Sequence, residues 1–343
     1  MRERVAFYSH HDTIDFSVIS QKKYDDTSSS YYLAALYKYL KTKGIELVNL
    51  QSLDRSDQIS FCIFIDTINP HVLLERFGVS IPNLILIQRE CNVIMPKLWI
   101  KGTLDLYDIV FTYNLDFCKS IGTRAKLIKS LMPQYINLKL SRFLSLKERK
   151  FVMISSNKVK HHDQELYSLR SDLVRWFETH KAEDLDLYGA NWDRILVRKP
   201  FYLRILTRKI WFPRKLKTLK GYATHKLDTI AKYDFCFCIE NTKNFDGYIS
   251  EKIFDAMMAG SIPIYYGPPN IHEFIPDDTY ITMQNFTNFS DLHSFCMSMT
   301  KAEKSKYRES IKSFLQKGIG PFSIDSFNNS LHKILSNEQE SAS

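Results

Sequence analysis

One stretch of the chain constrains its fold more than any other. Residues 233–267 read YDFCFCIENTKNFDGYISEKIFDAMMAGSIPIYYG. The run 233–239 is short, apolar and rich in aromatic residues and cysteine, which predicts a buried strand. A polar loop follows over 240–248. Ser250 then stands where a helix N-cap is expected, and Glu251 and Lys252 fall in the first turn. Ile253, Phe254, Met257 and Met258 form the apolar face of that helix, and Gly260 ends it. Residues 262–266 predict a second strand. Strand, loop, helix and strand make a βαβ unit, whose crossover places the loop and the helix N-terminus at one edge of a parallel sheet. A helix N-terminus at such an edge attracts anions, and Lys252 adds a full positive charge, so a diphosphate suits the geometry. Many βαβ units bind nothing, and a lysine in a first helical turn is ordinarily just solvated, so the pattern alone leaves the site open.

The rest of the chain supplies two series of the same kind. Strand signals at 5–8, 45–50, 61–65, 84–88, 108–113 and 125–128 alternate with helix signals at 31–43 and 71–77. Residues 137–150 are charged and lose this rhythm, which predicts a linker. A second series then begins with a strand at 151–155, a helix at 166–180 and a strand at 185–188. After a basic insertion come the βαβ unit, a strand at 280–283 and helices at 291–299, 302–316 and 324–335. The expected class is α/β, with two Rossmann-type βαβ domains facing across a cleft. The boundaries expected are 1–145 and 146–322, with a C-terminal helix and frayed tail over 323–343.

Composition narrows the function. Of 343 residues 44% are hydrophobic, which allows two ordinary cores and excludes global disorder. No run of 18 apolar residues predicts a membrane-spanning helix, and the polar N-terminal segment is not expected to be a leader. The net charge of +9 is concentrated: 194–226 holds eleven Lys and Arg and no Asp or Glu, and the remainder is slightly acidic. A general nucleic-acid surface is therefore not expected. The cysteines at 62, 91, 118, 236, 238 and 296 are scattered through apolar runs, which predicts buried free thiols and fits a reducing cytoplasm. Cys236 and Cys238 share a strand face, but nothing nearby completes a metal set.

Several motifs then carry a family likeness. Glu240-Asn241-Thr242, the run Tyr248-Ile249-Ser250-Glu251-Lys252 and the strand from Ser261 to Gly267 resemble the signature of the α-1,3/1,4-fucosyltransferase family, glycosyltransferase family 10, in a bacterial-type soluble form. Upstream, Ser155-Ser156-Asn157, the segment from Glu165 to Arg170, Asp186-Leu187-Tyr188-Gly189, and Lys220-Gly221-Tyr222 with Lys226 are similar to its other donor-domain landmarks, in the same order. The resemblance covers roughly 150–285. It thins in the first half to Glu90 and the strand and turn around 110–114. There the family's Glu-Ser-Pro turn reads Glu90-Cys91-Asn92.

The resemblance implies a GT-B-like fold and transfer of L-fucose from GDP-fucose, with inversion, to a hydroxyl of a GlcNAc-type acceptor in α-1,3 or α-1,4 linkage, as in bacterial surface glycans. Such a reaction needs a general base for the acceptor hydroxyl and positive charge for the departing diphosphate. Arg170 and Lys252 are the candidate cations, and no metal or other cofactor is expected. Glu251, Asn241, Tyr248, Ser155, Asn157 and Lys226 complete the candidate donor site. Glu90, after the strand 84–88, is the candidate base, with Glu251 beside it as a second catalytic candidate. His10 and His11 are placed at the acceptor. The aromatic and basic residues over 198–217 suit an anionic membrane surface, which would bring the enzyme to a lipid-linked glycan at the inner face of the membrane. Two rivals remain: another nucleotide-activated sugar on the same fold, or a non-catalytic basic protein for membrane or RNA.

Overall fold

Residues 3–9, 31–136, 138–144, 147, 149–196, 205 and 213–336 are described by the computed structural model. The β-branched and aromatic runs form twelve strands among these residues. The first six are β1 (Glu3–Ser9), β2 (Ile45–Asn49), β3 (Phe61–Ile65), β4 (Asn83–Ile87), β5 (Ile109–Thr112) and β6 (Lys126–Lys129). The other six are β7 (Arg149–Ile154), β8 (Leu185–Tyr188), β9 (Leu219–Gly221), β10 (Tyr233–Ile239), β11 (Ile262–Tyr266) and β12 (Ile281–Thr282). They make two six-stranded sheets, in the orders β2-β1-β3-β4-β5-β6 and β12-β11-β10-β7-β8-β9. Each neighbouring pair is parallel. Parallel strands covered on both faces read as continuous apolar runs, and β3, FCIFI, is buried at every residue.

The chain divides into two compact units. The first comprises Met1–Tyr135, Asp246–Tyr248 and Gly320–Ser343, and the second Ile136–Phe245 and Ile249–Ile319. In the first unit, Val5, Phe7, Ile63, Ile85 and Phe111 meet Leu33, Leu36 and Leu40 of the helix Tyr31–Thr42 in one core. The terminal helix Ile324–Leu335 joins the same core. Phe327, Leu331 and Leu335 recur every fourth residue, so one face of the helix is buried. Each such side chain contributes about 1.5–3 kcal/mol of transfer energy. Sequence periodicity shows this apolar stripe but not the surface that it covers, and so the helix was expected as a separate C-terminal segment.

In the second unit, the rings of Phe151, Phe235 and Phe237 stack across β7 and β10, at 5.3 and 5.7 Å between centroids from Phe151. Leu173, Val174 and Phe177 of the helix Tyr167–His180 pack on them. The helix Glu251–Met258 buries Ile253, Phe254, Ala256, Met257 and Met258. Gly260 follows at φ +67°, a left-handed turn in which its N–H reaches the Met257 carbonyl at 2.9 Å. β9 is a strand inside the basic stretch, where the sequence pattern predicted only an insertion. Its lysines mask the period-2 signal of a short edge strand. The expected linker contains a short helix, Leu140–Leu144.

Both sheets reverse direction once. The first does so between β1 and β3 and the second between β7 and β10. In open parallel sheets the crevice outside the carboxyl ends of the strands at such a reversal is the usual ligand position.

Candidate functional site

The reversal point of the second sheet is built from the loops that leave β7 and β10. Glu240, the first residue after β10, is fully buried. Its Oε1 accepts from the Ser250 N–H at 2.8 Å, and its Oε2 from the Ser250 hydroxyl at 2.7 Å and from Lys252 Nζ at 3.0 Å. Lys252 Nζ also donates to Ser250 Oγ at 2.8 Å. Burial favours the neutral form of Lys252, but the carboxylates of Glu240 and Glu251 outweigh it and raise its pKa above that of an ordinary lysine. Ser250 occupies the N-cap position of the helix Glu251–Met258 but makes no side-chain cap bond. Its hydroxyl serves Glu240 instead. The anion-attracting end of this helix is thus occupied by a carboxylate of the chain itself.

Arg170 lies in the first turn of the helix Tyr167–His180 and is buried. One of its terminal nitrogens donates to the carbonyls of Ile239 at 2.6 Å and Glu240 at 2.8 Å, and to Asn241 Oδ1 at 3.0 Å. Its guanidinium carbon sits 4.8 Å from the Tyr167 ring centroid. The guanidinium therefore clamps the carboxyl end of β10. Backbone bonds fasten the rest of the loop: Leu166 N–H to Asn241 O at 3.2 Å and Lys243 N–H to Gln164 O at 2.8 Å. The segment from Glu165 to Arg170 and the loop after Glu240, distant in sequence, form one structure.

Ser155 and Asn157 lie in the loop that leaves β7. Ser155 N–H bonds Tyr188 O at 2.9 Å, and Asn157 Nδ2 donates to Asn191 O at 3.1 Å. The Ser155 hydroxyl oxygen is buried without a hydrogen-bond partner among the described residues. Gly189 is required here, because a Cβ at its φ of +136° would overlap the Ser155 carbonyl oxygen. Lys226, at the start of the helix Lys226–Ile230, pairs with the buried Asp255 at 2.5 Å. Burial works against its charge, but Asp255 and Glu251 outweigh that and raise its pKa. Glu251 itself is exposed.

Two candidates belong to the first unit. Tyr248, expected in the donor domain, is buried there with its ring 5.6 Å from that of Tyr113. The preceding Gly247 has φ +74°, and a Cβ on it would lie 2.5 Å from Tyr113 O. Glu90 follows β4 by three residues. Its backbone is held on both sides: its N–H donates to Asp66 Oδ1 at 3.0 Å, and its carbonyl accepts from Trp99 Nε1 at 3.0 Å and the Tyr113 hydroxyl at 3.2 Å. Asp66 Oδ1 also accepts from Arg89 N–H at 2.7 Å. Asp66 is buried at φ +47°, and burial raises its pKa to about 6 against the two backbone bonds. The Glu90 carboxylate is half-buried and makes no hydrogen bond or ion pair to the described residues. The neighbouring Arg89 side chain donates to the Tyr32 hydroxyl at 2.8 Å.

His10 and His11 lie outside the described residues, as does most of 198–217. All six cysteines are free and buried. Among the described residues no three His, Cys, Asp or Glu side chains are grouped to hold a metal ion, and no helix is long and apolar enough to cross a membrane. The sequence reading gave no role to Asp255 or Asp66, read Ser250 only as a helix N-cap, and placed Glu240 only in a motif and loop without naming it as a site residue. The available signal was positional: Glu240 and Asp66 each directly follow a buried strand run, FCFCI and FCIFI, where an acid must either be paired or titrate upward.

Two parallel-sheet α/β units of this kind match the GT-B fold. A crystal structure of an α1,3-fucosyltransferase superposes with a TM-score of 0.57 at 14% identity, covering 98% of this chain and 91% of that one. A crystal structure of the DNA-modifying enzyme β-glucosyltransferase does so with a TM-score of 0.57 at 11% identity, covering 96% and 98%. The family called "Glycosyltransferase family 10 (fucosyltransferase) C-term" matches residues 145–312 of this chain. The α-(1,3)-fucosyltransferase FucT of Helicobacter pylori is 34% identical over 74 residues, which are 22% of this chain and 15% of the relative. The 4-galactosyl-N-acetylglucosaminide 3-alpha-L-fucosyltransferase 9 of Bos taurus is 29% identical over 133 residues, 37% of this chain and 36% of the relative. An α-(1,4)-fucosyltransferase of Arabidopsis thaliana is 35% identical over 66 residues, 19% and 16% of the two chains. The chain thus spans between 15% and 36% of the length of these relatives.

Proposed function

We propose that this protein is an inverting fucosyltransferase. It moves L-fucose from GDP-fucose to a hydroxyl of a GlcNAc-type acceptor in α-1,3 or α-1,4 linkage, in the assembly of a bacterial surface glycan. The observation that carries this reading is the buried cluster of Glu240, Ser250, Lys252, Arg170 and Asn241 at the reversal point of the second sheet, inside the family-matched residues. A related fold, at 14% identity, has been crystallised with GDP. Lys252 brings positive charge to the diphosphate, and Glu240 keeps that charge in place while the site is empty. Arg170 holds the loop rigid and adds its positive charge behind the diphosphate. Glu251, exposed in the first helical turn, accepts from ribose or sugar hydroxyls.

Glu90 supplies the general base. Its carboxylate is free of partners among the described residues while its backbone is fixed, which is what proton abstraction from a hydroxyl requires. Protein cations, with no bound metal, neutralise the leaving group. The basic stretch 198–217 brings the enzyme to anionic membrane at the cytoplasmic face, where a lipid-linked acceptor is presented.

The deciding experiment is a transfer assay with GDP-fucose, GDP-mannose and UDP-sugars against N-acetyllactosamine-type and lipid-linked acceptors, with the product anomer read by NMR. Turnover confined to GDP-fucose and an inverted product is the expected result. Turnover of another donor would replace fucose in this reading, and none with any donor would remove the activity. Liposome flotation of wild type beside a variant with Arg204, Arg208 and Lys209 neutralised tests the membrane contact. Equal flotation removes it.

A further inference from the structure

Apart from the cluster around Glu240, the second unit carries an open cavity of about 630 Å³ at the outer edge of its sheet. That size falls within the ~300–1,000 Å³ usual for small-molecule sites. Its walls come from the segment 269–282, which includes the terminal strand β12, from the turn Met283–Asn285 with Phe286, and from the helices Phe289–Ser298 and Lys301–Gln316. The turn contributes the carboxamides of Gln284 and Asn285, both exposed, and the helices contribute Phe295 and Tyr307. The Phe286 and Phe295 rings lie 5.3 Å apart at 51°, and Phe295 is 41% exposed, unusual for a phenylalanine that has a core beside it.

The chemistry of the lining narrows the ligand. Among the described residues it contains no lysine or arginine, and against its single histidine, His272, it sets the carboxylate of Asp277, so phosphates and nucleotides find no net counter-charge. An acyl chain would cover the carboxamides without satisfying them, at a cost in desolvation. Aromatic faces beside free carboxamides suit a ring molecule with a C–H face and a rim of hydroxyls. The negative π face attracts the C–H groups, and each amide offers both a donor and an acceptor to neighbouring hydroxyls. We propose that this cavity is a second carbohydrate site, which holds a neutral saccharide away from the nucleotide cluster. The inference does not depend on transfer activity, since it concerns binding alone.

Saturation-transfer NMR with N-acetyllactosamine and chitotetraose tests it on the full chain, with and without saturating GDP, for wild type, Asn285→Ala and Phe295→Ala. Both substituted residues are exposed, and folding of each variant is checked by its thermal midpoint. The expected result is saccharide binding that persists under GDP and weakens about tenfold in each variant, the loss of one good hydrogen bond or ring contact. Glycerol phosphate, an anion with C–H protons to observe, serves as a control and gives no signal that either substitution changes. Saccharide binding abolished by GDP, unaffected by both substitutions, or absent altogether overturns the proposal.

Discussion

At the carboxyl end of β10, polar groups are engaged by the chain itself. Lys252 pairs with Glu240, Ser250 bridges them, and Arg170 caps the strand's last carbonyls. At the carboxyl end of β4 the arrangement is the reverse. The backbone around Glu90 is held by Asp66, Trp99 and Tyr113, while the Glu90 carboxylate has no partner among the described residues. The difference follows from burial. A wholly buried carboxylate such as Glu240 must be compensated, whereas a half-buried one such as Glu90 stays in contact with water. The first edge is therefore where stability and ligand binding are coupled. The second is where a side chain can be changed at little cost to the fold.

That contrast can be broken experimentally. Glu240→Ala leaves the part-buried Lys252 without its ion-pair partner, and a loss of about 3–5 kcal/mol is expected in urea unfolding, together with loss of GDP binding. A loss below 1 kcal/mol would mean that the pair is solvated and the edge is not locked. Glu90→Gln is expected to lower kcat by about 10²–10⁴-fold while stability stays within about 0.5 kcal/mol. A parallel loss of stability would place Glu90 among the structural acids. Gly189→Ala forces a Cβ onto the Ser155 carbonyl at a positive φ, and a thermal-midpoint drop equivalent to about 2–3 kcal/mol is expected.

Asp66→Asn has the smallest expected effect and the opposite sign. The folded-state pKa of Asp66, raised by burial to about 6, lies above that of the unfolded chain. Its contribution is then fully present below the ordinary carboxylate range and is lost as pH rises through about 6. Asparagine keeps an acceptor for the N–H groups of Arg89 and Glu90 and tolerates the positive φ. A gain of about 1–2 kcal/mol is expected at pH 8, with little change at pH 4. A variant less stable at pH 8 than at pH 4, as wild type is expected to be, would show that another group sets the profile.

Much of this architecture is legible from local pattern. Continuous apolar runs such as FCIFI over β3 announce strands buried on both faces. The succession from β10 through Ser250 to β11 announces a βαβ unit, since period, cap position and glycine stop all agree. The family likeness rests on the same ordered motifs, and it picked out Arg170, Asn241 and Lys252, which the fold gathers into one cluster with Glu240. Those are properties of residues close in sequence, and the chain carries them openly.

Pairings between distant segments are a different matter. Nothing local indicates that Lys252 meets Glu240, that Arg170 grips carbonyls some seventy residues away, or that Asp66 holds the backbone of Glu90. Nor does local pattern show that Tyr248, inside the donor motif, packs with the first unit beside Tyr113, or that the stripe of Phe327, Leu331 and Leu335 completes that unit's core. A motif specifies which charges are present. Only the packed chain specifies which of them are neutralised, because a buried charge takes its partner from whatever the fold brings within hydrogen-bond reach.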